Sequence, residues 1–597
     1  MKKVIILGGG VAGLSAAHEL VERNYEVEIF EFNPDYVGGK ARSINYKGPE
    51  NQYVNPLPGE HGFRFFPGFY KHIIDTMKRI PFQEDNSSSK SVFDNLTATK
   101  TIMLSRYNDS PIVVLSSFPK SFKQFREAIK LIKQDKSRLS KEEKVFFVKR
   151  VWQLMSSCHD RKQNEYESLG WWQYLKADEF SESYRHLLVE GLTRTLVAAK
   201  AKTASTKTGG NIFLQLLFSM LDPSVNTDRI LNGPTNEKWL NAWKKYLIEK
   251  GVKINQGWIC SSMETDVKNF NIKNVSVTKL DEVTRKPLND KKTLEADYYV
   301  MAMPVERAAA LISPDMIACD NTLKGIIELA KSVNWMNGIQ FYLNENITIN
   351  QGHIIFSDSE YALTAISQVQ FWENYDLTKR GNGKIKGLLS VDISDWFNAG
   401  KFNKLPADEC TKDQIKEEVL KQLMCSLNIN GQEILNENMV EDFYLDRDIK
   451  EKSNEEFISV FDNTKGQLTD REPLLVNNIN TWDLRPEASC GIKNLFFASD
   501  YVKTNTDLAT MEGANEAARR TVNCILSSDN NPAKKCEIWE FSEPWFLSLT
   551  KKFDKKRFEQ GLPWTIKAPL WMLIITAIGA LVYLILGIVK ELIFPKR

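Results

Sequence analysis

Three glycines near the start of the chain have a spacing suited to binding the phosphates of a dinucleotide. An apolar run leads into Gly8-x-Gly10-x-x-Gly13 and then into a helical pattern. Gly8 permits a tight turn out of a strand, Gly10 lets the backbone approach a pyrophosphate, and Gly13 lets the helix pack closely on the sheet. The helix begins at Val11 and Ala12, so its N-terminal N–H groups are expected to face the phosphates.

An acidic residue follows at the distance expected of a ribose-binding carboxylate. A second strand pattern ends at Glu31, about eighteen residues past Gly13. In dinucleotide-binding units, a carboxylate at this strand end accepts hydrogen bonds from the adenosine ribose. An ordinary glycine-rich turn between a strand and a helix is the alternative interpretation. The pattern predicts an adenosine dinucleotide, and Glu31 does not choose between NAD and FAD.

A second glycine pair makes that choice. Gly38 and Gly39 lie just beyond Glu31 and again allow the backbone to approach a diphosphate. Lys40 and Arg42 add two cations, and a guanidinium can bind phosphate oxygens through two parallel hydrogen bonds. We predict that these four residues contact the diphosphate, and the combination favours FAD.

A segment near residue 500 reads as another part of the same site. A buried strand pattern ends at Asp500, which can accept hydrogen bonds from the ribityl or pyrophosphate region of FAD. A helix begins near Met511, and its first turns include Glu512 and Ala514. Its N-terminal N–H groups can face the N1/O2 edge of the flavin, where negative charge collects on reduction. A core strand and helix without a ligand is the alternative.

Together these motifs resemble those of the flavin amine oxidase and phytoene desaturase superfamily. The N-terminal part is similar to Gly-x-Gly-x-x-Gly, the acid, and Gly-Gly-(Arg/Lys)-x-x-Ser, and the C-terminal part to Gly-Asp-Tyr…Ala-Ser-Met-Glu-Gly-Ala. Lys40 stands where amine oxidases usually carry Arg, as in the plant and cyanobacterial type of phytoene desaturase. Ser499 and Thr510 replace the usual Gly and Ser. The resemblance implies FAD and an oxidoreductase activity.

The segment 59–70 combines aromatic residues with a few polar ones, as ligand pockets do. Desaturases carry a similar Gly-x-His-x-Phe-Phe-Gly-x-Tyr segment, and the resemblance places it beside the flavin. His61 and Arg64 are therefore the candidate catalytic residues, and Glu60 is a further polar candidate. A core loop with a hydrogen-bonded histidine is the alternative.

The composition argues against several other classes of protein. Lys and Arg number 78 against 76 Asp and Glu, for a net charge of +2, so nothing favours a nucleic acid partner. The eight cysteines contain no Cys-x-x-Cys and fit a reducing compartment. The six histidines have no metal-binding spacing, and we predict no metal site.

The stretch 568–589 is apolar throughout and long enough to cross a membrane. About 22 residues of helix extend ~33 Å, compared with ~30 Å for a hydrocarbon core. A larger cluster of basic residues precedes the stretch than follows it, which predicts a single-pass C-terminal anchor with the catalytic body on the cytoplasmic side. A buried core helix is the alternative.

The patterns predict an α/β chain with a discontinuous Rossmann-like FAD-binding domain, an α+β substrate domain and a C-terminal transmembrane helix. Helical patterns at 121–133, 141–158 and 210–221 belong to the substrate domain. The predicted FAD-binding segments are 1–95, 229–310 and 481–527. The predicted substrate segments are 96–228 and 311–480, followed by a linker or interfacial segment at 528–567 and the span at 568–589.

The favoured function is FAD-dependent dehydrogenation of a lipophilic, isoprenoid or carotenoid-like small molecule by hydride transfer to flavin N5. A membrane quinone or oxygen is the expected electron acceptor, and membrane lipid an expected partner. One alternative is a flavin amine oxidase. Many of those tether FAD through a cysteine, and Cys490 lies before the C-terminal strand, where no tether is expected. The other alternative is a non-catalytic, flavin-binding membrane protein.

Overall fold

A five-stranded parallel sheet carries the glycine motifs at the carboxyl ends of its strands. The computed structural model describes residues 1–83, 90–117, 137–191, 200–222, 228–282, 284–454, 462 and 464–593. The strand order of the sheet is Lys253–Gln256, Glu26–Glu31, Lys3–Leu7, Tyr298–Met301 and Leu495–Phe497. The central strands are mostly buried, as parallel strands covered on both faces are.

Three separate segments of the chain build this sheet. Segments 1–95, 229–310 and 481–527 each contribute at least one strand. The helices Val11–Val21 and Met511–Ser528 pack against each other over one face of the sheet. Because the carboxyl ends of parallel strands meet at one edge, motifs that are distant in sequence become neighbours there.

A second, seven-stranded sheet stands beside the first one. Its strand order is Asp109–Leu115, Thr101–Arg106, Ile354–Phe356, Leu363–Ser367, Gly387–Ile393, Asn337–Leu343 and Val440–Leu445. The helix Lys412–Leu427 shares a hydrophobic core with this sheet. Thr411 and Gln414 form a capping box at its start, which satisfies two backbone donors. These two sheets confirm the predicted mixed α/β fold.

The polar region 255–295 forms an antiparallel meander that the sequence patterns did not place. Its strands are Trp258–Asp266, Asn271–Leu280 and Pro287–Leu294. Pro287–Leu294 is almost wholly exposed, which explains its polar composition. The first strand of the meander supplies Trp258 and Ile259 to the cavity described below.

A group of helices has a hydrophobic core of its own. Lys141–Ser156 begins with a capping box between Ser140 and Glu143, and Thr206–Leu221 runs beside it. Both agree with predicted helical patterns, whereas the pattern at 121–133 lies outside the described residues. The shorter helices are His72–Arg79, His159–Arg161, Trp171–Tyr174, Glu182–Tyr184, Asn241–Glu249, Val305–Leu311, Pro314–Cys319 and Lys324–Leu329. The smaller strands are Ser43–Tyr46, Leu57–Glu60, Phe66–Pro67, Pro81–Phe82, Lys90–Ser91, Leu96–Ala98, Asp228–Leu231, Val333–Asn334, Ile449–Glu451, Leu468–Asp470 and Leu474–Leu475.

The C-terminal segment packs on the helical region before it forms a long apolar helix. Helix Ser548–Glu559 is fixed by a buried ion pair between Asp554 and Arg161, with Oδ2 to Nε at 3.0 Å. The last helix is Leu570–Ile593, and its part Leu570–Val589 has a mean hydropathy of 2.7 and is mostly exposed. It is therefore long and apolar enough to cross a membrane, by length and composition.

Candidate functional site

A cavity of about 770 Å³ lies between the two sheets. The glycine cradle of the first sheet lines part of it, and apolar residues of the second sheet and of helix Thr206–Leu221 line another part. A volume of this size is typical of a cofactor or substrate site.

The cradle glycines have distinct steric roles. Gly8 has φ +114°, and a Cβ there would lie 2.7 Å from the carbonyl oxygen of Ala302. A Cβ on Gly13 would lie 1.9 Å from the Gly8 carbonyl oxygen, so only glycine allows this helix to approach the strand. A Cβ on Gly10 would meet no described atom closer than the Gly39 Cα at 3.8 Å, so Gly10 borders open space.

The start of helix Val11–Val21 faces this space. No side chain among the described residues caps the helix at Gly10, and Val11 and Ala12 both line the cavity. The first N–H groups of a helix have no partner within it, so they need an external acceptor. Phosphate oxygens are suitable acceptors.

Glu31 lines the cavity from the end of its strand. Its carboxylate accepts hydrogen bonds from the backbone N–H of Gly9 at 2.5 Å and of Asn33 at 2.7 Å. Burial raises the pKa of Glu31 to about 7, although these two N–H groups act in the opposite direction. Ribose hydroxyls would be further donors to this buried group.

Of the second glycine motif, Gly38, Gly39 and Lys40 line the cavity. Both glycines have positive φ, +103° and +55°, which explains why the turn requires glycine. Arg42, predicted to contact the diphosphate, is placed elsewhere. It is buried against the carboxylates of Asp448 and Glu472 and is not part of the cavity wall.

The C-terminal motif also divides between two roles. Asp500, Met511 and Ala514, which are predicted to bind the cofactor, line the cavity. Glu512 does not, because its side chain points into the protein and accepts hydrogen bonds from the start of helix His72–Arg79. Its predicted contact with the cofactor is therefore replaced by a structural one.

The two candidate catalytic residues both reach the cavity. His61 Nδ1 lies against the carboxylate of Asp446. Burial alone would lower the pKa of the His61 imidazole. Asp446 and the other nearby acids together have the larger effect, so the pKa is raised overall. The guanidinium of Arg64 donates to the carbonyl of Gly62, and burial lowers its pKa despite the nearby acids Glu60 and Asp392.

His61 belongs to a buried acidic cluster that resembles a metal site in composition. His61, Asp446 and Asp448 offer ligand atoms within 4.8 Å of one another. The protein itself supplies partners, since Arg42 pairs with Asp448 and the amide of Asn337 donates to Asp446 at 3.2 Å. We interpret the cluster as an ion-pair network that holds His61 in place.

Four acidic or aromatic residues of the cavity wall are not among those predicted from the sequence. Glu306 is buried, and neither carboxylate oxygen accepts a hydrogen bond from another described residue. Burial raises its pKa, with Lys40 opposing. Asp228, Asp392 and Trp258 also line the cavity. The sequence contains a weak signal for Glu306. This residue lies in the first turn of a helix that follows Pro304 and the buried strand Tyr298–Met301, a position where ligands often bind.

The residues present fit an extended flavin dinucleotide. The open space beside Gly10, the uncapped helix start and the unpaired acceptors of Glu306 lie along the wall, and each is a place for a phosphate or sugar contact. Cys490 is not in the cavity wall, and its thiol contacts the carbonyls of Ile492 and Leu495.

Comparison with known proteins gives a family match across most of the chain. The family model described as flavin containing amine oxidoreductase matches residues 11–526. The carotenoid phi-ring synthase of Chlorobaculum tepidum is 41% identical over 70 residues, 12% of this chain and 10% of that protein. The 1-hydroxycarotenoid 3,4-desaturase of a Flavobacterium species is 52% identical over 48 residues, 8% of this chain and 10% of that protein. The flavin-dependent L-tryptophan oxidase of Lentzea aerocolonigenes is 32% identical over 120 residues, 20% of this chain and 24% of that protein. The chain thus matches a quarter or less of the length of these relatives.

Solved structures show the same fold at low sequence identity. Putrescine oxidase bound to putrescine superimposes with a TM-score of 0.54 at 12% identity, covering 88% of this chain and 99% of that one. Cyclohexylamine oxidase from Brevibacterium oxydans gives a TM-score of 0.53 at 14% identity, covering 89% of this chain and 99% of that one. Identity at this level supports likeness of fold alone.

Proposed function

The chain belongs to the flavin-containing amine oxidoreductases and is a flavin-dependent oxidoreductase, and from this premise we propose that it dehydrogenates a lipophilic, isoprenoid or carotenoid-like substrate. The cofactor we propose is non-covalent FAD. Names of relatives with short matches, a carotenoid desaturase and a carotenoid ring synthase among them, agree with this substrate class.

One observation carries the proposal, namely the apolar wall of the cavity. Helix Thr206–Leu221 presents a row of large apolar side chains to the cavity, at Phe213, Leu216, Leu217 and Met220. The second sheet supplies further apolar residues, at Ile102, Leu104 and Ile355. Such a wall favours a long apolar chain, because burying apolar surface is worth about 25 cal/mol per Å².

The same helix connects the cavity to the apolar C-terminal helix. Asp222, directly after the helix, interacts electrostatically with Tyr583 of helix Leu570–Ile593. The ring of Phe546 lies 5.7 Å from the ring of Tyr583. We propose that the C-terminal helix anchors the protein in a membrane and keeps this end of the cavity close to lipid.

The orientation of the body follows from charge. Lys551, Lys552, Lys555, Lys556, Arg557 and Lys567 precede the apolar helix. Basic residues flanking a span favour the cytoplasmic side, so we place the catalytic body there. A membrane quinone or oxygen would reoxidise the cofactor.

In the reaction, the bound flavin supplies a hydride acceptor at N5. This chain binds the apolar part of the substrate and excludes water from it. Asp446 engages Nδ1 of His61, so any contact of His61 with a ligand falls to Nε2. Arg64 presents a buried cation to the same cavity, beside Asp392.

Anaerobic stopped-flow reduction tests the proposal on protein purified in detergent. An isoprenoid polyene should bleach the flavin absorbance, while benzylamine and polyamines should leave it unchanged. The reverse pattern would assign the protein to the amine oxidases. Flavin that no lipid and no amine reduces would identify a non-catalytic flavin-binding protein.

An amine substrate is the second candidate, on a specific observation. The rings of Phe63, Phe65 and His353 lie together on the cavity wall, with carboxylates nearby at Asp228 and Asp392. Aromatic faces and carboxylates are both found around bound amines. The large apolar wall favours a lipophilic substrate over a small amine, because a small amine would leave most of this wall uncovered.

A further inference from the structure

Three polar side chains on the cavity wall have atoms without a hydrogen-bond partner among the described residues. They are Oδ2 of Asp228, Oδ1 of Asp392 and Nε2 of His353. The three residues are 3%, 5% and 8% exposed. Buried polar atoms normally have partners, so unpaired ones that line a cavity indicate a ligand with complementary polar groups.

His353 and Asp392 lie beside the segment with Phe63 and Phe65, which form an aromatic floor, and Asp228 lies on a strand that pairs with the continuation of that segment. The ring of His353 lies 5.1 Å from that of Phe63 and 4.2 Å from that of Phe65. Asp392 lies against the same segment, since a Cβ on Gly62 would be 2.7 Å from its Oδ1. The strand containing Asp228 pairs with Phe66–Pro67, so that Asp228 lies opposite Pro67.

Asp228 is the least compensated of the three. Asp392 has the charges of Arg64 and His61 nearby, and both act to lower its pKa. Burial raises the pKa of Asp228 to about 7, and Arg229 alone opposes it. Burial also lowers the pKa of His353 to about 4, which keeps its imidazole neutral at physiological pH.

The chemistry of this wall favours a neutral donor over a cation. Burial raises the pKa of Asp228 to about 7, so its carboxyl is partly protonated at neutral pH, and Arg64 is near Asp392. An ammonium group would therefore meet a weakly charged carboxyl at Asp228 and a guanidinium beside Asp392. A hydroxyl avoids this repulsion. It also donates to an ionised carboxyl and accepts from a protonated one.

We propose that the lipophilic substrate carries a hydroxyl group, which donates a hydrogen bond to the side chain of Asp228 on this aromatic floor. The inference rests on the proposed function and narrows its substrate class to hydroxylated isoprenoids. A pure hydrocarbon would leave Asp228 buried and unpaired in the complex, at a cost to binding.

Binding of three C20 isoprenoids that share one chain tests the inference. Tritiated geranylgeraniol, the hydrocarbon lacking its hydroxyl, and geranylgeranylamine are titrated into FAD-loaded, detergent-solubilised protein in a scintillation proximity assay. The alcohol should bind the wild type about tenfold more tightly than the hydrocarbon, equivalent to one hydrogen bond. Equal affinities, or tightest binding of the amine, would overturn the proposal.

Two variants test whether Asp228 is the residue that causes the preference for the alcohol. Asp228→Leu should abolish the preference for the alcohol while retaining the hydrocarbon, since the apolar wall is unchanged. Thr364→Val is the matched control, because it removes a polar group from another part of the same wall with little change of shape and should keep the preference. A preference that survives in Asp228→Leu would contradict the assignment.

Flavin reduction separates this inference from the proposed function. If the alcohol and the hydrocarbon bind equally and both reduce the flavin, the proposed function holds and the hydroxyl site does not. If the alcohol binds preferentially but no isoprenoid reduces the flavin, the hydroxyl site holds and the proposed reaction does not.

Discussion

Glu512 and His72, far apart in sequence, are joined by two hydrogen bonds through one carboxylate oxygen. Oε1 of Glu512 accepts from the backbone N–H of His72 at 2.8 Å and lies 2.7 Å from its Nδ1. The backbone N–H of Trp539 donates to Nε2 of the same ring at 3.0 Å. The network therefore assigns the proton to Nδ1, and His72 links the C-terminal helix motif to residues beyond it.

Glu512→Gln should destabilise the protein without removing its flavin. Glu512 also accepts from the N–H groups of Lys71 and Ile73, so its carboxylate caps helix His72–Arg79. The loss of these charge-assisted bonds should lower the free energy of unfolding by about 3 kcal/mol. Denaturant titration measures this, with the exposed Glu487→Gln as control. Loss of FAD at unchanged stability would restore a role in cofactor binding.

Gly10→Val and Gly13→Ala should fail in different ways. Gly10 has open space beside it, so a valine there should leave the fold intact and occupy the expected phosphate path. A Cβ on Gly13 would lie 1.9 Å from the Gly8 carbonyl, so even alanine should destabilise the fold. Flavin content and thermal unfolding, measured together, separate the two. A fully flavinated Gly10→Val protein would show that the cofactor lies elsewhere.

The glycine cradle was predictable because its function depends on local spacing. Gly8, Gly10 and Gly13 act within one strand–turn–helix unit, and the structure places them as that unit requires. Helix Lys412–Leu427 was predictable for a similar reason, because its periodicity and capping residues are local.

Roles that depend on distant partners were not predictable. The sequence predicts that Arg42 binds phosphate because it follows a glycine pair. Its partners in the structure, Asp448 and Glu472, are more than four hundred residues away and could not be foreseen. Glu512 follows a motif that suggested the flavin, but the helix that it caps begins near residue 72. Asp228 reaches the cavity only because its strand pairs with Phe66–Pro67.

FAD binding should strengthen as the pH rises through 7. Burial raises the pKa of Glu31 to about 7 in the cofactor-free protein, and ribose hydroxyls donate to its ionised form. If FAD binds the ionised form, its dissociation constant should be about tenfold larger at pH 6 than at pH 8. Flavin fluorescence titration measures this, and Glu31→Gln should show no such step. A wild-type affinity that is constant over this range would remove Glu31 from the ribose site.

The same shift has the opposite sign for the stability of the cofactor-free protein. The folded pKa of Glu31 lies above its unfolded value near 4.5, so its contribution is fully present below pH 4.5 and is lost as the pH rises through 7. The loss should be about 3 kcal/mol by pH 8. Chemical denaturation of FAD-free wild type and Glu31→Gln should show a shallower decline for the variant, and parallel curves would contradict the assignment.

Removal of residues 566–597 should release the protein from membranes while FAD remains bound. The described residues that line the cavity end at Ala514, and helix Ser548–Glu559 stays attached through the Asp554–Arg161 pair. Carbonate extraction should leave the full chain in the pellet and the truncated chain in the supernatant. Gly579→Leu is the matched variant, because a Cβ there would lie 2.7 Å from Phe546 Cβ. It should loosen the helix from the body, seen as faster proteolysis near residue 565, and still pellet. A truncated protein that resists both high salt and carbonate would show that another surface holds the membrane.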